Sequence, residues 1–333
     1  MKMKYTEQFE KIKKLIDRNQ QFVLLSHIYT DGDALGSLLA FYYFLKNEGK
    51  EVSVYIPGDI PEKYHFLNFS GIVNSGPLDE HKTVLKNAQV IFILDISDLK
   101  RLDVYHDAVK ESVAQRVIID HHPLNQEWTE ISICDTDRIA TSEMIYELFK
   151  FLNAPIDLKM ATALYTALLS DSGSFRFYKT SADSFRMAAE LVQIGAEPSE
   201  IYSHVFETAR TDQLKAWGIL LSNLQKGPEC TWLIVSNKFL LENKLELHEI
   251  DGLIDIIRKD QQANAFALFV EKETNEILVG LRSRDGVDVG LIARSFGGGG
   301  HYHASGFTST KNLQETVEHT INKITSFKIQ ESA

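Results

Sequence analysis

The chain has 333 residues, of which 44% are hydrophobic and 24% are charged, and its formal net charge is −11. This length exceeds the roughly 250–300 residues at which a single core stops growing, so two domains are expected. A protein that follows long nucleic acid needs a basic face to neutralise phosphates, so the acidic balance argues against long duplex nucleic acid as a partner. Small anionic substrates remain compatible with this charge if metal ions and local Arg or His residues supply positive charge at the site.

The lengths of the apolar runs and the number of cysteines predict the cellular compartment of the protein. No apolar run reaches the roughly 18–20 residues that a membrane-spanning helix needs, and the first residues lack the apolar segment of a signal peptide. Cys134 and Cys230 are too few for a disulfide framework and show no zinc-site spacing. We therefore expect a cytoplasmic protein with no membrane partner.

The first 120 residues predict strands that alternate with helices, as in a parallel α/β sheet. In chain order we predict an amphipathic helix at 6–20, a buried strand at 22–26, an apolar helix at 34–47, a strand at 51–56, and mixed helix and loop at 61–74. Strands at 89–94 and 116–119 follow, with a helix that contains Arg101 between them. The run at 89–94 is almost continuously apolar, which is typical of a central parallel strand.

Acidic residues and histidines follow three of these predicted strands. In open α/β sheets, ligands bind just beyond the carboxyl ends of the strands. A single Asp at such a place is often only a helix N-cap, but three strands in succession favour a constructed site. The residues at the three strand ends are His27, Asp31 and Asp33, then Asp95, then Asp120, His121 and His122.

The rest of the chain predicts more helices and then a different pattern. Helices are predicted at 140–152, 157–169, 181–194, 198–206 and 211–224, and the second of them leads directly into Asp171. After a break at 225–228 we predict a strand at 231–236, a helix at 252–259, paired strands at 263–271 and 276–284, and helices at 288–296 and 312–327. This change indicates a second, smaller α+β domain.

The residues at the predicted sheet edge match the chemistry of divalent metal ions. Carboxylate oxygens suit Mn²⁺ and Mg²⁺, and imidazole shifts the preference toward transition metals. Two ions about 3.5–4 Å apart can share a carboxylate and activate water for in-line attack on phosphorus. Asp95 is the natural shared ligand because it stands alone after a central strand. The full candidate set is His27, Asp31, Asp33, Asp95, one or both of His121 and His122, and Asp171.

These motifs resemble a known family. His27-x3-Asp31-x-Asp33-x2-Gly36-Ser37, Asp95, Asp120-His121-His122 and Asp171 resemble the four motifs of the DHH phosphoesterase superfamily. Gly298-Gly299-Gly300-His301-x2-Ala304-Ser305-Gly306 resembles the signature of its DHHA1 companion domain. At this length the chain is most similar to the oligoribonuclease (nanoRNase) and 3′-phosphoadenosine 5′-phosphate (pAp) phosphatase type of bacteria and archaea.

The resemblance implies a fold and a domain arrangement. The fold class is α/β, with a mainly parallel-sheet DHH domain, a smaller α+β DHHA1 domain and an active site in the cleft between them. The implied boundaries are a DHH catalytic domain at 1–195, linker helices at 196–228 and a DHHA1 substrate-binding domain at 229–333.

The resemblance also implies site roles. His27, Asp31 and Asp95 would hold one Mn²⁺, and the second Mn²⁺ would be held by Asp33, Asp95, His121 and Asp171, with Mg²⁺ or Co²⁺ as substitutes. Asp120 would orient a histidine. His122 would face the scissile phosphate as electrophile or proton donor. The chain departs from the family at Tyr29-Thr30, where members often have a proline, and this is expected to affect substrate fit only.

The four glycines at 297–300 have two interpretations. They could form a flexible linker, or their backbone N–H groups could approach a phosphate closely, as the family implies. Each nearby arginine could equally be a surface charge or a phosphate ligand. The substrate-binding candidates are Arg282, Arg284, Arg294, Gly298, Gly299, Gly300, His301 and Ser305.

The expected activity is hydrolysis of RNA or DNA oligonucleotides of about two to five residues to 5′-mononucleotides, and of pAp to AMP. One alternative is a stand-alone cyclic or linear dinucleotide phosphodiesterase, and another is a single-strand-specific exonuclease. An inorganic pyrophosphatase would lack the Gly-rich loop. A metal-free nucleotide-binding regulator would belong to a different functional class. The sequence does not determine the oligomeric state, and a homodimer is compatible with it.

Overall fold

A computed structural model describes residues 4–75, 78–96, 98–123, 129, 131–250, 252–273, 275–284 and 286–331. For residues 78–82, 273, 301 and 327–331 it describes the backbone alone. The chain divides into two compact units, Met1–Thr208 and Ala209–Ala333. Within the ranges given, no helix has both the length and the apolar character needed to cross a membrane.

The first unit is built on a six-stranded parallel sheet. The strands are β1 (Gln21–Leu25), β2 (Glu51–Ile56), β3 (Val73–Ser75), β4 (Val90–Leu94), β5 (Gln115–Asp120) and β6 (Ile131–Cys134). Their order is β3-β2-β1-β4-β5-β6, and every neighbouring pair is parallel. The strand order therefore reverses between β1 and β4, which is where α/β sheets of this kind bind their ligands.

Helices cover both faces of this sheet. They are α1 (Thr6–Arg18), α2 (Gly32–Asn47), α3 (Leu78–Asn87), α4 (His106–Glu111), α5 (Thr141–Phe151), α6 (Leu158–Asp171), α7 (Ala182–Ile194) and α8 (Pro198–Phe206), with 3-10 turns at Glu62–Leu67 and Leu99–Tyr105. Along β1, Phe22 and Leu24 enter the core on one face, whereas Val23 and Leu25 enter the core on the other. Burial on both faces explains why β1 and β4, the two central strands, are almost continuously apolar.

Two glycines let α2 lie very close to α6. A Cβ atom at Gly32 would lie 2.5 Å from Cβ of Ser170, and one at Gly36 would overlap the carbonyl oxygen of Ala163 and lie 2.9 Å from Cβ of Ala167. Because both glycines face α6 on successive turns, the start of α2 is held against the end of α6. This contact places the acidic residues at those two helix ends beside each other.

The second unit is built on another six-stranded sheet. Its strands are β7 (Gln225–Lys226), β8 (Cys230–Val235), β9 (Ala265–Glu273), β10 (Glu276–Ser283), β11 (Gly299–His301) and β12 (Ala304–Ser309). Their order is β11-β12-β10-β9-β8-β7, and only β8 and β9 pair in parallel. Its helices are α9 (Thr211–Ser222), α10 (Asn237–Asn243), α11 (Leu253–Ile257), α12 (Val289–Ser295) and α13 (Leu313–Glu331), with a 3-10 turn at Leu247–Ile250.

The predicted fold class is confirmed, and the differences concern short elements. The region 61–74, predicted as mixed helix and loop, also begins the edge strand β3. The other edge strand of the first sheet, β6, was not predicted, and neither were α3 and α10. These elements have only 4, 10 and 7 residues, so their hydrophobic pattern does not distinguish them clearly from loops. The helix predicted around Arg101 is a 3-10 turn at Leu99–Tyr105 followed by α4. The strand β11 replaces the loop predicted over the tetraglycine segment.

We predict that Gly36→Ala lowers the free energy of unfolding by about 1–3 kcal/mol, because the added methyl group must push α2 away from α6. Gly218→Ala, in α9, is the matched control, since a Cβ there meets no atom within 4 Å. That substitution should raise stability by roughly 0.5–1 kcal/mol, the usual gain of replacing a helical glycine. Both values come from denaturant unfolding, and equal stabilities of the two variants would contradict a close contact between the helices.

Candidate metal centre

Asp95 lies at the carboxyl end of β4, where the strand order reverses. It adopts a left-handed backbone conformation with φ of 62°, and its side chain is buried. One carboxylate oxygen, Oδ2, lies 3.3 Å from Nε2 of His27, which follows β1. The other, Oδ1, lies 3.5 Å from Nε2 of His121, which follows β5. The carboxylate therefore stands between histidines supplied by the two strands beside its own.

Asp31 serves a helix and the site at the same time. Its Oδ1 atom accepts hydrogen bonds from the backbone N–H groups of Asp33 and Ala34, at 3.1 and 3.0 Å, and so caps α2. Its Oδ2 atom lies 3.9 Å from Nε2 of His27. Together His27, Asp31 and Asp95 offer ligand atoms that all lie within 4.8 Å of one another.

A second group forms around His121. Its Nε2 atom lies 3.1 Å from Oδ2 of Asp171, at the end of α6, and 4.0 Å from Oδ2 of Asp33, in the first turn of α2. These three residues also offer ligand atoms within 4.8 Å of one another. The close contact between α2 and α6 brings the two carboxylates together. All six residues predicted as metal ligands thus fall into two groups, which meet at the contact between Asp95 and His121.

Asp120 and His122 form a pair next to these groups. Nδ1 of His122 lies 2.8 Å from Oδ1 of Asp120, and the backbone N–H of His122 donates to the same oxygen at 3.1 Å. Asp120 is fully buried, whereas the His122 side chain is 29% exposed. Burial is the largest single influence and lowers the pKa of His122, but the hydrogen bond to Asp120 and the charges of Asp95 and Asp120 together outweigh it and leave the pKa raised. The imidazole of His122 is therefore partly exposed beside the two groups, and it binds a proton more readily than a free imidazole.

The first turn of α5 contacts the site, which was not predicted from the sequence. The backbone N–H groups of Thr141 and Ser142 donate to the two oxygens of Asp33, at 2.6 and 3.1 Å. The hydroxyl group of Thr141 donates to Oδ1 of Asp95 at 3.1 Å. The sequence showed that a helix starts here, but it held no signal for a partner 108 positions earlier in the chain.

The electrostatics of the cluster fit a divalent cation. Burial raises the pKa of Asp95 and of Asp171 well above the ordinary range, and the carboxylate of Asp33 raises both further. Burial lowers the pKa of His27 to about 4, so its ring is neutral at pH 7, the state in which imidazole binds metals. Among the described residues, Nδ1 of His27 and Oδ2 of Asp120 are buried without a hydrogen-bond partner. Crowded carboxylates beside a neutral imidazole are a donor set for ions such as Mn²⁺.

The tetraglycine segment of the second unit belongs to a hairpin. Strand β11 pairs with β12, and a Cβ atom at Gly298 would overlap Phe307. Gly300 has φ of 132°, and a Cβ there would lie 2.5 Å from Cα of Ser305. Gly299 has open space on its side-chain face. The backbone of His301 completes β11, and its side chain lies outside the described part of the structure.

Three other predicted substrate ligands also lie in the second unit. The Ser305 hydroxyl group donates to the carbonyl oxygen of Val289 at 2.6 Å and so ties β12 to α12. Nη1 of Arg294 donates to the carbonyl oxygen of Gly300 at 3.3 Å. Arg282 lines a groove of about 560 Å³ on one face of the sheet. Other residues that line this groove are Ile254, Leu278, Gly280 and Thr308.

Arg284, also predicted as a substrate ligand, hydrogen-bonds to backbone carbonyl oxygens of the second unit. Its guanidinium group donates to the backbone carbonyl oxygens of Asp260 and Ala263 through Nη1, and to that of Arg258 through Nη2, at 2.8–2.9 Å. It also lies over the ring of Phe266. These bonds direct the side chain into the second unit, where it closes the turn that follows α11.

Comparison with family models and with known proteins identifies the family. The model of the DHH family N-terminal domain matches residues 21–168, and that of the DHHA1 domain matches residues 234–327. The chain is 30% identical to the bifunctional oligoribonuclease and PAP phosphatase NrnA of Thermus thermophilus. The aligned region has 286 residues and covers 86% of this chain and 83% of that protein. It is 26% identical to the protein of the same name from Mycoplasma genitalium, over 94% of this chain and 98% of that one.

Solved structures agree with the fold. The crystal structure of an exopolyphosphatase-related protein from Bacteroides fragilis matches with a TM-score of 0.93, at 24% identity and with 100% of both chains covered. RecJ from Thermus thermophilus, in complex with Mn²⁺, matches with a TM-score of 0.57 at 12% identity, over 99% of this chain and 55% of that one. With both family models and a 30% identical relative matched along most of its length, the chain belongs to the DHH phosphoesterase family, with a DHHA1 domain in its second unit.

Proposed function

We propose that the protein is a Mn²⁺-dependent two-metal phosphoesterase that hydrolyses oligonucleotides of about two to five residues to 5′-mononucleotides and converts pAp to AMP. The observation that carries this proposal is the position of Asp95, whose carboxylate contacts His27 on one side and His121 on the other. The relatives named oligoribonuclease and PAP phosphatase support the substrate class. Both reactions break the same kind of bond, between phosphorus and a ribose 3′-oxygen.

The residues present would hold two ions. His27 and Asp31 would bind one ion, Asp33 and Asp171 the other together with His121, and Asp95 would be shared. Divalent cations in such a pair supply a Lewis acid for the phosphoryl group and activate water as a nucleophile. The contacts to the capped start of α2 and to the first turn of α5 hold the carboxylates in place before substrate arrives.

His122 is proposed as the proton donor to the leaving 3′-oxygen. Its Nδ1 atom is occupied by Asp120, so the proton for the substrate comes from Nε2. Asp120 fixes the ring orientation and favours the protonated imidazole. When the P–O3′ bond breaks, the alkoxide receives this proton and the released nucleotide keeps its phosphate on the 5′-oxygen. His122 is thus assigned to the leaving group, and the metal ligands to the phosphate and the attacking water.

We further propose that residues 1–195 perform the chemistry and residues 229–333 hold the substrate. Arg282 lines a groove that also has apolar walls, a combination that suits a phosphate attached to a nucleoside. The outer edge of β11 faces no strand within the described residues, so its backbone groups are placed to bind a polar ligand. The net charge of −11 supports short substrates, because long nucleic acid would meet an acidic surface.

A substrate panel tests the proposed activity. With Mn²⁺ we expect fast turnover of RNA of two to five nucleotides and of pAp, slower turnover of a 24-nucleotide RNA, and 5′-mononucleotides as products. DNA of the same lengths and cyclic dinucleotides complete the panel, and elemental analysis measures the bound metal. No turnover of any short RNA would reject the proposal. A preference for cyclic dinucleotides would support the alternative dinucleotide phosphodiesterase, and absence of bound metal would support a regulator.

We predict that His122→Ala slows cleavage of a diribonucleotide by about 10²–10⁴-fold, the usual contribution of a general acid. The same variant should hydrolyse bis(p-nitrophenyl) phosphate at close to the wild-type rate, because nitrophenolate leaves without a proton. His319→Ala, an exposed histidine in α13, is the control and should change neither rate. Equal losses on both substrates would show that His122 acts on the phosphate or the metal ligands, and not on the leaving group.

Arg282 and Arg284 should respond differently to the same substitution. Arg282→Ala is expected to raise KM for a diribonucleotide about tenfold or more, since hydrogen bonds to charged groups contribute roughly 1.5–3 kcal/mol. Its melting temperature should stay unchanged. Arg284→Ala should lower the free energy of unfolding by a similar amount, because three carbonyl oxygens lose their donor. If Arg282→Ala impaired hydrolysis of bis(p-nitrophenyl) phosphate as much as hydrolysis of the diribonucleotide, the proposal that the second unit binds the substrate would be wrong.

A further inference from the structure

Helix α5 begins without a cap of its own. The residue at its N-cap position is Ala140, whose side chain makes no capping hydrogen bond. The first N–H groups of a helix need acceptors, and here Asp33 supplies them from α2. The carboxylate of Asp33 therefore occupies the place of a missing cap. The partial positive charge at this helix start acts on a carboxylate assigned to one metal ion.

Thr141 contacts both carboxylates at once. Its backbone N–H donates to Oδ2 of Asp33 at 2.6 Å, and its hydroxyl group donates to Oδ1 of Asp95 at 3.1 Å. The side chain of Thr141 is fully buried, so water does not compete for either bond. Because threonine is branched at Cβ, its hydroxyl group has few orientations, and this restricts the Asp95 carboxylate in turn.

The turn that presents Thr141 is itself fixed. One oxygen of the buried Glu143 accepts the backbone N–H of Ile139 at 3.2 Å. Its other oxygen accepts the hydroxyl group of Ser184, in α7. Glu143 thus connects the start of α5 to α7 and restricts movement of the turn that carries Thr141. A rigid support of this kind is what a precisely spaced pair of ligands requires.

We propose that Thr141 is a positioning residue of the metal centre, which sets the orientation of the shared ligand Asp95 through its hydroxyl group and that of Asp33 through its backbone N–H. The proposal rests on the two-metal function above. Thr141 acts through the two carboxylates that it contacts, Asp33 and Asp95. Loss of the hydroxyl group leaves Asp95 free to rotate, so metal ions bind less tightly to the folded protein.

The test is the Mn²⁺ affinity of the metal-free full chain, measured by calorimetry. Thr141→Val keeps the volume and removes the hydroxyl group, and we expect it to weaken Mn²⁺ binding about 10–100-fold, as loss of a partner behind a metal ligand does. Thr141→Ala is measured beside it, because a smaller side chain makes no new contact with Asp95. Thr141→Ser keeps the hydroxyl group and should restore most of the affinity.

Thr320→Val is the matched control, since Thr320 is also fully buried but its hydroxyl group donates within α13, to Thr316. It should bind Mn²⁺ as the wild type does. Wild-type affinity in both Thr141→Val and Thr141→Ala would overturn the proposal, as would an equal loss in Thr141→Ser. If the wild-type chain itself bound no Mn²⁺, the proposed function would fail first. The increase in melting temperature on adding Mn²⁺ gives a second readout that is independent of turnover.

Discussion

The first unit is constrained by the burial of several carboxylates close to Asp95. Like charges a few ångströms apart in a low-dielectric interior repel strongly, and each also loses its hydration. The chain reduces this cost with neutral donors: Asp31 accepts from the start of α2, and Asp33 from the start of α5. The bonds to Asp33 offset part of the rise that burial causes in its pKa.

The spacing of the ligands depends on contacts between helices as much as on the sheet. The sheet supplies His27, Asp95 and His121 from three adjacent strands, whereas Asp33 and Asp171 belong to α2 and α6. Two glycines in α2 allow these helices to pack closely, with Gly36 against the backbone of Ala163, so the separation of the helix segments that carry the two carboxylates is fixed. A fixed separation of the helices limits where the two carboxylates can lie, which suits a site that must hold ions at one separation.

The sequence predicted the features that depend on local pattern. Apolar strands followed by acidic residues placed His27, Asp95 and His121 at one sheet edge, because parallel strands share the direction of their ends. Contacts between distant segments were not predictable: nothing near Thr141 indicates a bond to Asp33, and nothing near Arg284 indicates that it serves carbonyl oxygens of its own unit. The glycine run at 297–300 was interpreted as a loop because its need for glycine comes from β12, which lies after it in the chain.

The backbone of Asp95 has a consequence for how such proteins diverge. A left-handed backbone costs most residues about 1 kcal/mol or more, less for asparagine and aspartate and nothing for glycine, and Asp95 also has a buried carboxyl group. Asparagine or glycine at position 95 would remove the ionisable carboxyl group, and glycine would also remove the backbone strain. Substitution by either residue would therefore stabilise the fold. A descendant released from catalysis should therefore keep the fold and lose this aspartate early. Position 95 is accordingly the most informative single place to separate active members from inactive copies of the same architecture.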